Sequence, residues 1–413
     1  NGWPKVEHSN PVPLGSFLGD SPPAMKLLLR WALLLTHAPL AESGVRYADK
    51  QALISLFKLL GGPYWTKNDG WDPDGGGDPC SISARWYGVG CIDPCDLYRD
   101  GPDCAFGRIT ALTLRDNNLT GDISNWTEVG ELNNLSWVDL SVNDISGSLP
   151  AELGEIKNIE VLNLGFNQLE GQLPTSLGSL NSNGYADLNE LSCERNNLTG
   201  SVPSELAQLT RLRMLNFGFN SLSGSIPAQL TNLTELQVLY LNGNRHLEGT
   251  LPADIGALTK LRFLNASHNN ISGTLPPSMG NLRALNDMSL FSNQISGSLP
   301  LELGDISPLR HLRMQDNRLD ANFTAFSTLG NLRQLITLDL YNNQMSGEVP
   351  ASIQNLTSMQ YLYLDNEHYK PLRQKSTTIS NPTQNLNPAR PPHSPTCHAP
   401  HCTTQVLRSA AAQ

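Results

Sequence analysis

From Leu112 onward the apolar residues fall on one recurring frame: leucine, any residue, leucine, two residues, asparagine, then an apolar residue and glycine. It reads LTLRDNNLTG at 112–121, VDLSVNDISG at 138–147, LNLGFNQLEG at 162–171, LSCERNNLTG at 191–200 and LNFGFNSLSG at 215–224. It continues as LYLNGNRHLEG at 239–249, LNASHNNISG at 264–273, MSLFSNQISG at 288–297, LRMQDNRLDA at 312–321 and LDLYNNQMSG at 338–347. The asparagine recurs at 117, 143, 167, 196, 220, 244, 269, 293, 317 and 343, at intervals of 24 to 29 residues. Ten occurrences in one phase mark a single repeat array rather than a string of separate domains.

Each part of the unit has a physical role. Alternation along an extended Leu-x-Leu segment sends both leucines to the core and the middle residue to solvent. The asparagine amide both donates and accepts, which suits a chain turning inward with buried backbone groups to satisfy. Glycine tolerates the next bend. A Leu-Pro, Ile-Pro or Val-Pro pair follows at 149–150, 173–174, 226–227, 275–276 and 349–350. There proline breaks continuous helix and carries the chain to the convex side. One coil cannot bury its leucines alone, so stability comes from stacked neighbours. The period and spacing predict an α/β solenoid: a leucine-rich repeat horseshoe with a parallel β-sheet on its concave face. Repeats occupy 108–366, ten complete and an eleventh that begins Tyr361-Leu362-Tyr363-Leu364-Asp365-Asn366 and places Glu367 where asparagine is due.

A solenoid end exposes core leucines and needs a cover. Residues 48–60 carry Ala48, Ala52, Leu53, Leu56, Leu59 and Leu60 at helical spacing, and Trp65, Trp71 and Trp86 follow, so 45–107 is expected to form an N-terminal cap. Cys80, Cys91, Cys95 and Cys104 lie within it, consistent with two disulfides in any of three pairings. Zinc is the competing arrangement, although the spacing holds only one short metal-type gap. Cys193 takes a leucine slot and reads as a buried apolar residue.

The Leu-x-Gly-x-Leu/Ile-Pro form of the unit resembles the plant-specific leucine-rich repeats of receptor-like proteins, receptor kinases and polygalacturonase inhibitors. Residues Ala52, Leu53, Leu56 and Phe57, Gly61-Gly62-Pro63-Tyr64-Trp65, Gly70-Trp71 and Trp86-Tyr87-Gly88-Val89 resemble the cap of such proteins, in a form similar to algal and bacterial relatives. That resemblance implies the pairing Cys80–Cys91 and leaves Cys95–Cys104 as a second bridge. It also implies a secreted or cell-surface recognition protein of the receptor-ectodomain kind. A secreted inhibitor of a cell-wall hydrolase is the alternative, and an ice-binding protein a minor one.

Charge narrows the partners. With 28 basic against 38 acidic residues the chain carries −10, and none of the acidic residues lies beyond Glu367. So acidic a chain is no default binder of nucleic acid. Met25 opens a stretch with Lys26, an apolar run from Leu27 and small residues at Ala41 and Ser43, the layout of a signal peptide over 25–43. Residues 1–24 read as an upstream extension outside the mature protein. Residues 367–413, rich in Ser, Thr, Pro and Gln, read as a disordered basic tail or a gene-model artefact. Localisation is therefore expected to be extracellular or at the cell surface.

No catalytic set holds together. His268 and His311 lack a carboxylate and nucleophile around them, the Cys397-His398-Ala399-Pro400-His401-Cys402 cluster lies in the tail, and no cofactor or metal site is assigned. What remains is the concave face, where a ligand site is expected at Phe219, Tyr240, Asn242, His268, Phe291, Arg313, Asp339 and Tyr341. Its expected partners are a protein, peptide or glycan ligand, with a co-receptor or a cell-wall hydrolase besides. The concave columns are mixed in size and charge, unlike an ice-binding array. Nine Asn-x-Ser/Thr sequons occur, at Asn118, Asn125, Asn134, Asn197, Asn232, Asn265, Asn270, Asn322 and Asn355. A glycan on Asn265, in the middle column, would divide the face and shift a site toward Phe291, Arg313, Asp339 and Tyr341.

Overall fold

The computed structural model describes residues 47–72, 74, 77–81, 85–92, 108–180, 188–320, 327–364 and 369–370, all within the unit Gly44–Gln413. The expected upstream extension, signal peptide, Cys95–Cys104 bridge, Asn322 sequon and Cys/His cluster lie outside these residues, as does most of the expected tail.

Eleven parallel strands, one per repeat from Arg108–Thr113 to Tyr361–Tyr363, form the concave sheet. Stacking holds them in leucine-to-leucine register: Leu215, Leu239, Leu264, Met288, Leu312 and Leu338 pair in sequence. All six are at most 2% exposed, so the inward half of the predicted alternation holds. A twelfth strand, Val89–Ile92, comes from the cap and pairs antiparallel with Arg108–Thr113. The cap therefore closes the sheet edge with main-chain bonds as well as side chains.

Helix Tyr47–Leu59 buries Ala52, Leu53, Leu56 and Phe57. Phe57 packs at 5.0 Å from Trp65 and 5.5 Å from Trp71, and Trp71 at 4.7 Å from Trp86. Trp126 of the first repeat donates its indole N–H to Ala52 O at 2.9 Å, joining cap to array. The Cys80–Cys91 disulfide forms across the intervening loop.

On the far side each coil turns through a short 3-10 segment, led by proline at positions such as Pro150, Pro203 and Pro300 with φ near −65°. Short parallel pairs, such as Ser223–Ser225 with His246–Glu248, make a second ladder after each asparagine. Gly273 on it has φ 74°, and a β-carbon there would lie 2.8 Å from the Thr250 methyl, so a side chain is excluded twice over. The ladder's last pair joins Gly347–Glu348 to Tyr369–Lys370, beyond the point where the leucine pattern stops.

The asparagines connect coil to coil. Asn244 donates to Phe217 O at 3.0 Å and Leu241 O at 2.9 Å, and accepts from the Leu222 amide at 3.0 Å. Asn220 repeats the pattern one coil earlier, with Cys193 O, Phe217 O and the Leu198 amide. Each interior carbonyl thus serves two successive asparagines.

Candidate recognition face

Three outward columns run along the sheet, at four, two and one residues before each ladder asparagine. The last of these adopts left-handed backbone almost throughout: Val142, Phe166, Arg195, Phe219, His268, Ser292, Asp316 and Asn342 have φ between 52° and 59°. Bulky side chains there cost about 1 kcal/mol or more each, a cost Gly243 avoids in the same column. Phe166 and Phe219 are held nonetheless, with the Arg195 guanidinium between their rings at 5.3 and 4.4 Å. Phe219 is 38% exposed.

Of the expected ligand residues, His268 and Phe291 meet edge-on at 4.7 Å. Burial holds the His268 imidazole below its ordinary pKa, with Asp316 opposing and Arg245 assisting. Arg313 pairs with Asp287 at 2.9 Å and reaches Ser289 Oγ at 3.3 Å. Asp339 Oδ1 accepts from the Tyr341 amide at 3.1 Å, and Tyr341 is 39% exposed. Phe219 and Tyr341 stand five coils apart, roughly 24 Å at the usual strand spacing. The expected residues therefore form a stripe rather than one cluster.

The structure corrects one expectation, that the middle residue of each strand faces solvent. Asn216 is fully buried and Ser192 and Ser289 nearly so; in the next column Asn242, expected in the ligand site, is likewise only 8% exposed. Neighbouring coils lie so close that larger side chains cover smaller ones. Tyr240 is also largely covered; burial, then Asp287 and Glu194, raises its pKa.

An acidic group escapes sequence reasoning. Glu194 accepts from Asn216 Nδ2 at 2.7 Å, and burial raises its pKa despite that bond. Glu190, four residues earlier on the same coil, is pushed up to about 7, first by burial, then by Asp139 and Glu194. Glu190 occupies the position before a leucine, which the column count leaves out. His311 Nδ1 lies 3.1 Å from Thr337 Oγ1, and burial lowers its pKa. The Asp287 carboxylate nearby is bonded by Arg313 and Ser289. Cys193 is buried and its thiol is pushed up to about 12, as an inert core residue requires.

The Asn265 sequon is held in a turn closed on its own serine. Its Oδ1 accepts from the Ser267 amide at 3.1 Å and the Ser267 hydroxyl at 2.7 Å, and Ser267 is 2% exposed. Asn125, Asn197, Asn232 and Asn355 are exposed. Among the described residues no group of three or more metal-ligating side chains gathers, and no helix is long and apolar enough to cross a membrane.

Residues 186–326 match the family described as the leucine-rich repeat region, and 158–180 and 334–356 match the single leucine-rich repeat. A probable inactive receptor kinase, RLK902 of Arabidopsis thaliana, is 33% identical over 132 residues, 32% of this chain and 17% of the kinase. Among solved structures, the ectodomain of the receptor kinase GASSHO1/SCHENGEN3 of Arabidopsis thaliana, in complex with Casparian strip integrity factor 2, is 32% identical. Its TM-score is 0.67, over 78% of this chain and 36% of that one. The Arabidopsis receptor kinase HAESA, in complex with the peptide hormone IDA and the co-receptor SERK1, is 26% identical with a TM-score of 0.57, over 79% and 54%. A plant ice-binding protein is 26% identical with a TM-score of 0.51, over 73% of this chain and 96% of that one. The chain spans only 17% of the curated kinase and 36% of the GASSHO1 ectodomain chain. Residue pattern, fold and these matches together make the chain a leucine-rich repeat solenoid similar to the ectodomains of plant receptor kinases.

Proposed function

We propose that the chain is a non-enzymatic, extracellular or surface-facing recognition module that takes a peptide or protein ligand along its concave face. The observation that carries this is the row Phe166, Arg195, Phe219: two aromatic rings kept in left-handed backbone with a guanidinium stacked between them. Core packing does not call for a ring as exposed as Phe219 at a strained position, and rigid aromatics beside arginine are the usual anchors of a protein interface. Similar ectodomains are described with a bound peptide hormone, which supports the same class of ligand here. The test is binding of candidate secreted peptides to the chain and to Phe219→Ala and Phe291→Ala variants. Loss of at least about tenfold in either, with unchanged circular dichroism, supports the proposal. Full affinity in both refutes it.

A second reading rests on the acidic group Asp139, Glu190 and Glu194. Carboxylates concentrated on a concave face favour a cationic partner, which suits an inhibitor of a basic cell-wall hydrolase. Inhibition of such an enzyme that disappears in Glu194→Gln would establish it.

A further inference from the structure

Charge is distributed unevenly along the solenoid. Residues 108–208 hold four basic against fourteen acidic residues, whereas 209–336 hold ten basic against eight acidic. Three of the ten basic residues of the second half fall on one line. Seven positions before each ladder asparagine, at the entry edge of the concave sheet, successive coils carry Arg213, Gln237, Arg262, Asn286 and Arg310. Main-chain bonds stack them directly: Gln237 N donates to Arg213 O, Arg262 N to Gln237 O, Asn286 N to Arg262 O and Arg310 N to Asn286 O, each at 2.8 or 2.9 Å. Cations therefore alternate with amides, one cation about every 10 Å at the usual strand spacing.

The adjoining columns add Arg211, Lys260, Arg283 and Arg333. The carboxylates that adjoin the row are engaged: Glu235 is bonded by Lys260 at 2.6 Å and also attracted by Arg211 and Arg213, and Asp287 is bonded by Arg313 at 2.9 Å. Arg213 and Arg310 are exposed, Arg262 is half-buried, and among the described residues no ion pair or side-chain hydrogen bond engages any of the three. This row of cations, on a protein of net charge −10, is no part of the buried core.

We propose that this edge is a second binding surface, distinct from the concave stripe, and that it takes a linear acidic polysaccharide. Guanidinium groups recognise carboxylate and sulfate oxygens through paired N–H donors, and the intervening amides meet hydroxyls. A pyranose is about as long as one coil is thick, and a homopolymeric acidic glycan such as polygalacturonate carries the same anion on every sugar. Every second sugar then meets an arginine and the sugars between meet Gln237 and Asn286. An acidic peptide fits less well. Three extended residues cover about 10 Å, but the third step turns the side chain to the opposite face.

The experiment measures binding of the whole chain to immobilised polygalacturonate, dextran sulfate, neutral dextran and poly-L-glutamate, at low and at moderate salt. The expected result is retention on one or both acidic polysaccharides, weakened by salt, and none on neutral dextran. The two acidic matrices distinguish a carboxylated from a sulfated ligand. Arg213→Gln/Arg262→Gln/Arg310→Gln should lose about tenfold or more, while the charge-matched Lys157→Gln/Arg245→Gln/Arg318→Gln stays within about twofold. Both variants should keep the parent's thermal midpoint. Phe291→Ala should bind the polysaccharide normally, so that failure here is separable from failure of the concave-face proposal. No retention of the parent chain, equal losses in the two triple variants, or equal binding of poly-L-glutamate would overturn the assignment.

Discussion

Replacing Asn244 with alanine isolates what the asparagine ladder contributes. Asn244 is fully buried, bonding Phe217 O, Leu241 O and the Leu222 amide. The two carbonyls keep a second donor after substitution, because Asn220 also reaches Phe217 O and Asn269 also reaches Leu241 O. Only the Leu222 N–H is orphaned. A buried unsatisfied amide costs about 1–3 kcal/mol, and the space left by the amide group adds about 1 kcal/mol. Asn244→Ala is therefore expected to destabilise by about 2–4 kcal/mol, not by the sum of three hydrogen bonds. Urea unfolding followed by circular dichroism gives the magnitude, and hydrogen exchange at the Leu222 amide gives the location. Asn197→Ala, at an exposed position, should stay within about 0.5 kcal/mol. A change below about 0.5 kcal/mol in Asn244→Ala, with Leu222 still protected, would refute the shared-carbonyl account.

Three further outcomes follow from particular residues. Glu190 holds its proton in the folded state up to about pH 7 because it is buried beside Asp139 and Glu194, against 4.5 ordinarily. Its stabilisation is complete below pH 4.5 and is lost as pH rises through 7, a difference of about 3 kcal/mol; Glu190→Gln should flatten the urea midpoint across pH 4.5–8, and an unchanged slope would contradict the burial argument. Glycopeptide mass spectrometry of folded chain given to a glycosyltransferase should show modification at Asn197 or Asn232 and none at Asn265, whose side-chain oxygen is held by the amide and hydroxyl of the buried Ser267 that the enzyme must also reach; occupancy at Asn265 would show that the turn opens. Thermal hysteresis of ice growth should be absent, because the concave columns are mixed and the hydroxyls of Ser146, Thr199 and Ser272 already donate to Gly121, Gly171 and Gly249 carbonyls; measurable hysteresis would favour the likeness to the ice-binding protein.

The repeat was readable because period 24 combines local rules: alternation at Leu-x-Leu, a polar turn at asparagine, proline at the convex crossing. The cap's aromatic closure was readable for the same reason, since Trp65, Trp71 and Trp86 have no other place to be buried. Contacts between coils were not. Alternation says that Asn216 points outward, and it does, but the neighbouring Glu194 side chain lies over it. Arg195 looks like one more charged surface residue until Phe166 and Phe219 are seen on either side. The strand Val89–Ile92 carried no alternating signal of its own and owes its place to the sheet edge it covers.

The central claim, recognition on the concave stripe, is tested most directly by site-specific photo-crosslinking. A benzophenone amino acid placed at Phe291 or Tyr341 probes the stripe, and the same group at Ser225 or Thr274 probes the exposed second ladder. Incubated with the extracellular fluid of the native tissue and irradiated, the first two should give a discrete adduct of a peptide or small protein and the second two none. An adduct confined to Ser225 or Thr274, or no adduct at Phe291 and Tyr341, would contradict recognition on this face.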